Sequence, residues 1–210
     1  MTHQDEGAAV PRRGRPRSAD LDRAVIAATV EVLIEQGYSA LTIEAVAGRA
    51  GVGRPAVYRR WPTKDHLVVS ALIETVPPLR VPDTGEVLRD LEEFAVEFAL
   101  RLAGSPVGPV AIAVLAEAGR RPDLAEMLRL QYLRPRDTVI MDLIERALAE
   151  GRLNKNLEAG TVRDLVFGPP VYHWLVTGML TGDVTRTLVE AAIAALQIPA
   201  GADGRSDRGA

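Results

Sequence analysis

One stretch constrains this chain more than any other: Thr42-Ile43-Glu44-Ala45-Val46-Ala47-Gly48-Arg49-Ala50-Gly51-Val52-Gly53-Arg54-Pro55-Ala56-Val57-Tyr58-Arg59-Arg60-Trp61. Thr42 is a capping residue, and Ile43, Val46, Ala47 and Ala50 recur at the spacing of one helical face. Gly51-Val52-Gly53 then interrupts the pattern, with Val52 the single apolar plug between two glycines. A second short helix is expected over about Arg54 to Trp61. Pro55 fits its first turn, where the missing N–H costs nothing. Val57 and Trp61, four residues apart, face inward, which leaves Arg54, Ala56 and Arg59 or Arg60 outside and Tyr58 toward the edge. Two short helices around a glycine turn, the second rich in arginine, have the grammar of a helix-turn-helix, whose second helix enters the DNA major groove.

The surrounding sequence supports this unit. Helix 1 is expected from Ser18, a cap, to Gln36, with Ile26, Val30 and Leu33 on its buried side and Gly37 as its stop. Pro62 ends the second short helix, and Thr63 can cap a fourth that carries Leu67, Val68, Ala71, Leu72 and Val76 inward. Residues 1–17, with Arg12, Arg13, Arg15 and Arg17 among prolines and a glycine, are expected to be a flexible basic arm. In that form Arg15 and Arg17 can lie in a minor groove. A DNA-binding domain is therefore expected over 18–76.

Charge agrees with this polarity. Residues 1–66 hold ten Arg/Lys against eight Asp/Glu, whereas the remainder holds fifteen against twenty, within a total net charge of −3. The mild positive excess sits where an anionic partner would bind. Arg54 can reach a base edge, and the Ala56 methyl can meet a thymine methyl. Thr42, Tyr58 and Lys64 are placed for phosphates, and Arg59 and Arg60 for phosphates or bases.

From about 84 to 198 the pattern is helical throughout. Val87, Leu88, Leu91, Phe94, Ala95, Phe98 and Leu102 repeat at helical spacing, and Val107–Leu115 is apolar on nearly every side, as for an enclosed helix. Pro135 is expected to kink or break the stretch from Leu124 to Glu150, and Pro169-Pro170 to break the next one. The last helix runs from about Val184 to Leu196, and 199–210 reads as a disordered tail. The whole is an all-α architecture of about nine helices. The last two, rich in alanine and glycine, suit a homodimer contact. Phe94, Phe98, Met127, Tyr132, Met141, Tyr172, His173 and Trp174 are the larger or adaptable side chains, and hence candidates to line a small-molecule pocket.

Other chemistries find little support. The chain has no cysteine, which excludes disulfides and thiolate chemistry, and its three histidines (His3, His66, His173) lack metal-ligand spacing, so no metal or cofactor is expected. Gly48-x-x-Gly51-x-Gly53 has neither a preceding strand nor a Gly-Lys-Ser/Thr, so it is no phosphate loop. Glu92, Glu93 and Glu97 fall on a solvated helix face. No nucleophile, base and orienting group stand in recognisable context, so an enzyme is not expected. No apolar run reaches the roughly 18 residues of a membrane span, and the polar N-terminus lacks a secretory core, which points to the cytoplasm.

Gly37-Tyr38, Thr42-Ile43, Val46-Ala47, Ala50-Gly51-Val52, Val57-Tyr58, Trp61-Pro62 and Lys64 together resemble the signature of the tetracycline-repressor (TetR/AcrR) family of transcriptional regulators, over about Asp22 to Leu72. Leu115-Ala116-Glu117-Ala118, Pro122-Asp123-Leu124-Ala125, Pro135-Arg136 and Gly168-Pro169-Pro170-Val171-Tyr172 are similar to one subgroup of its C-terminal domains. The resemblance implies a homodimer with an N-terminal operator-binding domain and a C-terminal effector-binding domain, most often a repressor. It implies DNA contacts at Thr42, Arg54, Pro55, Ala56, Tyr58, Arg59, Arg60 and Lys64. The chain departs from the family at Gly53, where a serine cap is frequent, and at Ala56, where a hydroxyl is common. A helical sensor of small molecules or proteins without specific DNA binding is the alternative.

Overall fold

The computed structural model describes residues 15–75 and 79–197, with side chains from residue 19 onward. The arm up to Gly14 and the tail from residue 198 lie outside the described residues. Among those described there is no strand. The chain divides into two compact units, one ending at Ala71 and one beginning at Leu72, so the division falls inside a helix.

The first unit contains α1 (Arg15–Ala40), α2 (Ile43–Ala50), α3 (Arg54–Tyr58) and the start of α4 (Lys64–Thr75). α1 begins at Arg15 and not Ser18, so Arg15 and Arg17 belong to its first turn and not to an extended arm. Pro16 explains the shift, because proline is compatible with the opening turn of a helix. Gly37 interrupts α1 at φ 76° and ψ 172°, a conformation that a side chain would disfavour. Val25, Ile26, Val32 and Leu33 of α1 bury with Ile43, Val46 and Ala47 of α2, Val57, Trp61, Leu67 and Val68. Each such aliphatic side chain contributes about 1.5–3 kcal/mol through removal from water.

The second unit contains α5 (Val87–Gly104), α6 (Gly108–Ala118), α7 (Pro122–Met127), α8 (Arg134–Ala149), α9 (Ala159–Thr177) and α10 (Gly182–Leu196). Its core joins Leu91, Phe94 and Ala95 of α5 to Leu143, Ile144 and Ala147 of α8, Val162, Val166 and Phe167 of α9, and Val189 and Ile193 of α10.

Three expectations are corrected here. Pro135 does not break the rod, and the irregularity expected there takes the form of a π-helical turn, Leu128–Leu133, through which α7 passes into α8 with helical backbone at both junctions. A wider turn just before the proline accommodates a residue that can neither donate nor pack into the preceding ladder. With that rod taken as one, the described residues form nine. Pro169-Pro170 does not break α9 either, which is continuous across both. Gly168 offers no Cβ to clash with the Pro169 ring, and the buried residues Val162, Val166, Phe167 and Pro170 hold one face of the helix on its neighbours. Finally, α6 is not enclosed: Pro109, Ala113 and Ala116 are exposed.

α6 turns 93° from α5. Gly108 makes that corner possible, because a Cβ built there would lie 1.8 Å from the Leu102 carbonyl oxygen and 3.5 Å from Trp174. No single helix among the described residues is long and apolar enough to cross a membrane.

Candidate functional site

The helix-turn-helix is built locally. Thr42 adopts an extended conformation, and its Oγ accepts a hydrogen bond from the Ala45 N–H at 3.1 Å, which starts α2. Gly51 ends α2 in the left-handed region (φ 66°, ψ 29°), and the Val52 N–H donates back to the Ala47 carbonyl at 3.0 Å. That closure is the glycine-terminated helix end of which β-carbon-bearing residues are poor members. Gly53 opens α3 without a side-chain cap, and Pro55 occupies its first turn.

α3 is shorter than its sequence pattern suggests. Regular helix ends at Tyr58, and Arg59 to Trp61 continue as a turn in which the Trp61 N–H donates to the Val57 carbonyl at 2.9 Å. Val57 and Trp61 are buried, as their spacing requires. Arg54, Pro55, Tyr58 and Arg59 are exposed, Ala56 is half-buried, and Thr42 is exposed beside them.

Two of the basic candidates are engaged inside the unit. Arg60 pairs with Asp22 of α1 and donates from Nη1 to the Ala56 carbonyl at 3.3 Å, so its charge braces α1 against α3. Lys64 donates to the Tyr38 carbonyl at 2.9 Å, and its ammonium lies 4.3 Å from the Tyr38 ring centroid. A cation there answers the negative carbonyl end of α1. The same Tyr38 donates its hydroxyl to buried Asp65. Thr63 caps α4 by accepting from the His66 N–H at 3.3 Å.

Sequence reasoning did not find Glu44 as a partner. Its carboxylate lies 3.7 Å from the Arg54 guanidinium and accepts from the Tyr58 hydroxyl at 3.4 Å. The signal was present: Glu44 stands in the first turn of α2, the turn that faces α3 across a three-residue loop. Behind it, Arg49 of α2 binds Glu35 of α1 at 2.6 Å, and that hydrogen bond holds the Glu35 carboxyl below its ordinary range.

The second unit contains a cavity of about 1640 Å³ among α5, α6, the π turn, α8, α9 and α10. Of the eight pocket candidates, Phe94, Phe98, Tyr132 and Tyr172 line it; Met127, Met141, His173 and Trp174 do not. Trp174 packs at Gly108 instead. Helical phase separates them: His173 and Trp174 follow Tyr172 by one and two residues and so leave its face. Phe167, which composition alone did not single out, completes the apolar wall. It meets Phe94 edge-on at 6.2 Å between centroids and Phe98 at 5.4 Å, so all three phenylalanines of the chain gather at one place. Ile112 and Leu115 of α6 add to the lining.

Polar groups in the cavity wall are mostly paired. Arg163 of α9 holds Asp137 of α8 at 3.1 Å and Asp164 at 2.8 Å, which raises its already high pKa. Arg136 lies over the Tyr132 ring, 4.0 Å from its centroid, and donates to the Tyr132 carbonyl at 2.8 Å. Burial raises the Tyr132 phenol's pKa and lowers that of Arg136, since both charged forms lose water there. Among the described residues no cluster of histidine and carboxylates is fit to hold a metal ion.

Residues 25–71 match the family model for bacterial regulatory proteins of the tetR family, and residues 81–197 match that for the tetracyclin repressor-like C-terminal domain. The HTH-type transcriptional regulator YdeS of Bacillus subtilis is 33% identical over 89% of this chain and 94% of its own length. The HTH-type regulator Rv1556 of Mycobacterium tuberculosis is 31% identical over 87% and 89%. Among solved structures, the TetR regulator TylP of Streptomyces fradiae superposes with a TM-score of 0.60 at 26% identity, covering 88% of this chain and 90% of that one.

Proposed function

The chain belongs to the TetR family of helix-turn-helix transcriptional regulators, and from that premise we propose that it is a repressor released from its operator by a small molecule. The observation that carries the reading is the division of labour on α3. Val57 and Trp61 anchor the helix while Arg54, Tyr58 and Arg59 stand exposed with Ala56 between them, a surface able to enter a major groove. Thr42 and Lys64 flank it as phosphate contacts, Lys64 by leaving the carbonyls it now serves. Arg60 supports the reading surface from behind. Arg15 and Arg17, in the first turn of α1, are backbone contacts in the same reading.

Operator binding requires two such helices. α9 leaves Leu165, Tyr172, Leu175 and Val176 exposed, with Met179 exposed just beyond its end, and α10 exposes Ala191, Ala194 and Ala195. A second copy of the chain is the occupant we assign to this face, because large apolar and small residues on adjacent helices suit a four-helix contact. The two reading helices then serve half-sites about 34–36 Å apart on a partly palindromic operator, in the compartment that holds the DNA. In this reading the DNA-binding head spans 18–76 and the effector and dimer domain 84–198. Effector in the α5–α10 cavity and operator at α3 favour different arrangements of the dimer, so each weakens the other's binding reciprocally. Selection of binding sites from a random duplex pool, followed by footprinting, tests this. Recovery of a two-fold-related motif is the expected result, and weak binding without sequence preference overturns it.

A further inference from the structure

The wall of the α5–α10 cavity restricts the class of its occupant, an inference that rests on the cavity being the effector site. Its carboxylates are answered by arginines. Glu93 is bound by Arg89 at 2.9 Å and Glu97 by Arg101 at 2.6 Å, and Asp137 and Asp164 share Arg163. Its other arginines are answered as well. Arg129 pairs with Glu126 and Arg186 with Glu92, Arg136 is engaged by the Tyr132 ring and carbonyl, and Arg134 is exposed to water. An ionised ligand would give up its hydration to meet charges that are already paired or solvated, and that transfer is costly.

Tyr132 differs from these groups. The π turn carries it inward, where it is 5% exposed and lines the cavity. Its carbonyl accepts from Arg136 and its ring lies under that guanidinium, but its hydroxyl makes no hydrogen bond among the described residues. A buried polar group without a protein partner is answered by water or by a ligand. Burial raises the pKa of this phenol, so it keeps its proton through the neutral range and can donate it to an acceptor. Phe94, Phe98 and Phe167 stand in the same wall, and their side chains carry no polar atom. The volume of about 1640 Å³ exceeds the roughly 300–1,000 Å³ usual for small-molecule sites, so the cavity accommodates a long or multi-ring body.

We propose that the effector is a large, uncharged, mainly apolar molecule with a hydrogen-bond acceptor such as a carbonyl oxygen, its body along the three phenylalanines and its acceptor on the Tyr132 hydroxyl. The paired wall excludes ions, the phenylalanines supply affinity, and Tyr132 selects among neutral molecules of similar shape.

The test titrates four fluorescent probes with one body against the full-length protein: methyl 1-pyrenebutyrate, 1-butylpyrene, the 1-pyrenebutyrate anion and the 1-pyrenebutylammonium cation. Transfer out of water favours the hydrocarbon over the ester, so an advantage for the ester requires a hydrogen bond. The ester is expected to bind about three- to tenfold more tightly than butylpyrene, the range of one neutral hydrogen bond. Both ions are expected to bind roughly tenfold or more weakly than the ester. Tyr132→Phe keeps the ring under Arg136 and removes the ester's advantage. An ion that binds as tightly as the ester overturns the uncharged class. An ester no tighter than butylpyrene, or an advantage that survives Tyr132→Phe, overturns the role of Tyr132. Both outcomes leave the cavity as a binding site. Binding of no probe, or binding unaltered by Phe98→Asp in a protein that retains its helical circular dichroism, overturns the cavity reading itself. The ranking of the four probes on the unmodified protein decides the matter even where a variant fails to fold.

Discussion

The carboxylate of Glu44 stands 3.7 Å from the guanidinium of Arg54, so the arginine we assign to read a base is paired with an acid at the protein surface. The pair is exposed on both sides, so solvent screens it and DNA can compete for Arg54. Glu44→Gln is expected to raise operator affinity by up to about fivefold, the range available to an exposed ion pair, through release of Arg54 and Tyr58 and removal of a charge that repels phosphate. Fluorescence anisotropy with a labelled duplex measures it. Unchanged or weaker binding would show that Glu44 orients Arg54 for the groove and does not compete with it.

Arg54 and Arg60 are expected to fail differently on substitution. Arg54→Ala should cost about 1–3 kcal/mol of specific binding and relax the preference at one base pair, with thermal stability unaltered. Arg60→Ala should lower stability by about 1 kcal/mol, because Asp22 loses its partner and the brace between α1 and α3 goes. Thermal unfolding and binding measured on both variants separate the reading residue from the brace. Equal losses of affinity at unchanged stability would place both on DNA.

Gly108 has no room for even one methyl group. Its Cβ position falls 1.8 Å from the Leu102 carbonyl oxygen, a backbone atom that cannot rotate away. Gly108→Ala should cost about 1–3 kcal/mol or more in stability of the second unit. By moving α6 off the α5 corner, it should also weaken effector binding in the cavity that Gly108, Ile112 and Leu115 help to line. Chemical denaturation read by tryptophan fluorescence follows the first effect, since Trp174 packs at the same glycine. Wild-type stability in the alanine variant would show that the α5–α6 turn can open at little cost.

The Arg49–Glu35 contact should make the first unit sensitive to acid. Glu35 has a folded pKa below the model-peptide carboxyl value of 4.5, so the contact stabilises the fold above that value and is lost as pH falls through the lower folded pKa. Glu35→Gln should flatten the acid limb of stability below about pH 4.5 and leave neutral-pH unfolding nearly unchanged, because both groups are exposed. Urea melts at a series of pH values test it. An unchanged acid limb would show that the Arg49–Glu35 contact contributes nothing to stability in acid.

The two parts of the molecule differ in how far the sequence announced them. The helix-turn-helix backbone over Thr42 to Tyr58 was legible in the sequence. Its determinants are local: a threonine cap, a left-handed glycine at 51, a proline in a first turn, and apolar spacing that leaves one possible outer face for α3. Tertiary structure decided which charges on that face remain available. Arg59 and Arg60 are neighbours of identical type, and only the proximity of Asp22, thirty-eight positions earlier in the chain, turns one of them inward.

The second unit was legible only as helices. Periodicity marks which residues are buried, but not whether a buried residue meets core or cavity, since both ask for apolar side chains. Phe94 and Phe98 were candidates from their size, whereas Phe167 joined them only through the packing of α9 on α5. The prolines were misleading for the same reason. The propensity of Pro135 or of Pro169-Pro170 to end a helix is a local cost of a few kcal/mol. A π turn relieves that cost in one case, and in the other a preceding glycine and the burial of Val162, Val166, Phe167 and Pro170 offset it. Local chemistry thus determined the recognition motif and its outer face, whereas the pairing of charges and the shape of the cavity arose from contacts between residues far apart in the chain, which no single window of sequence contains.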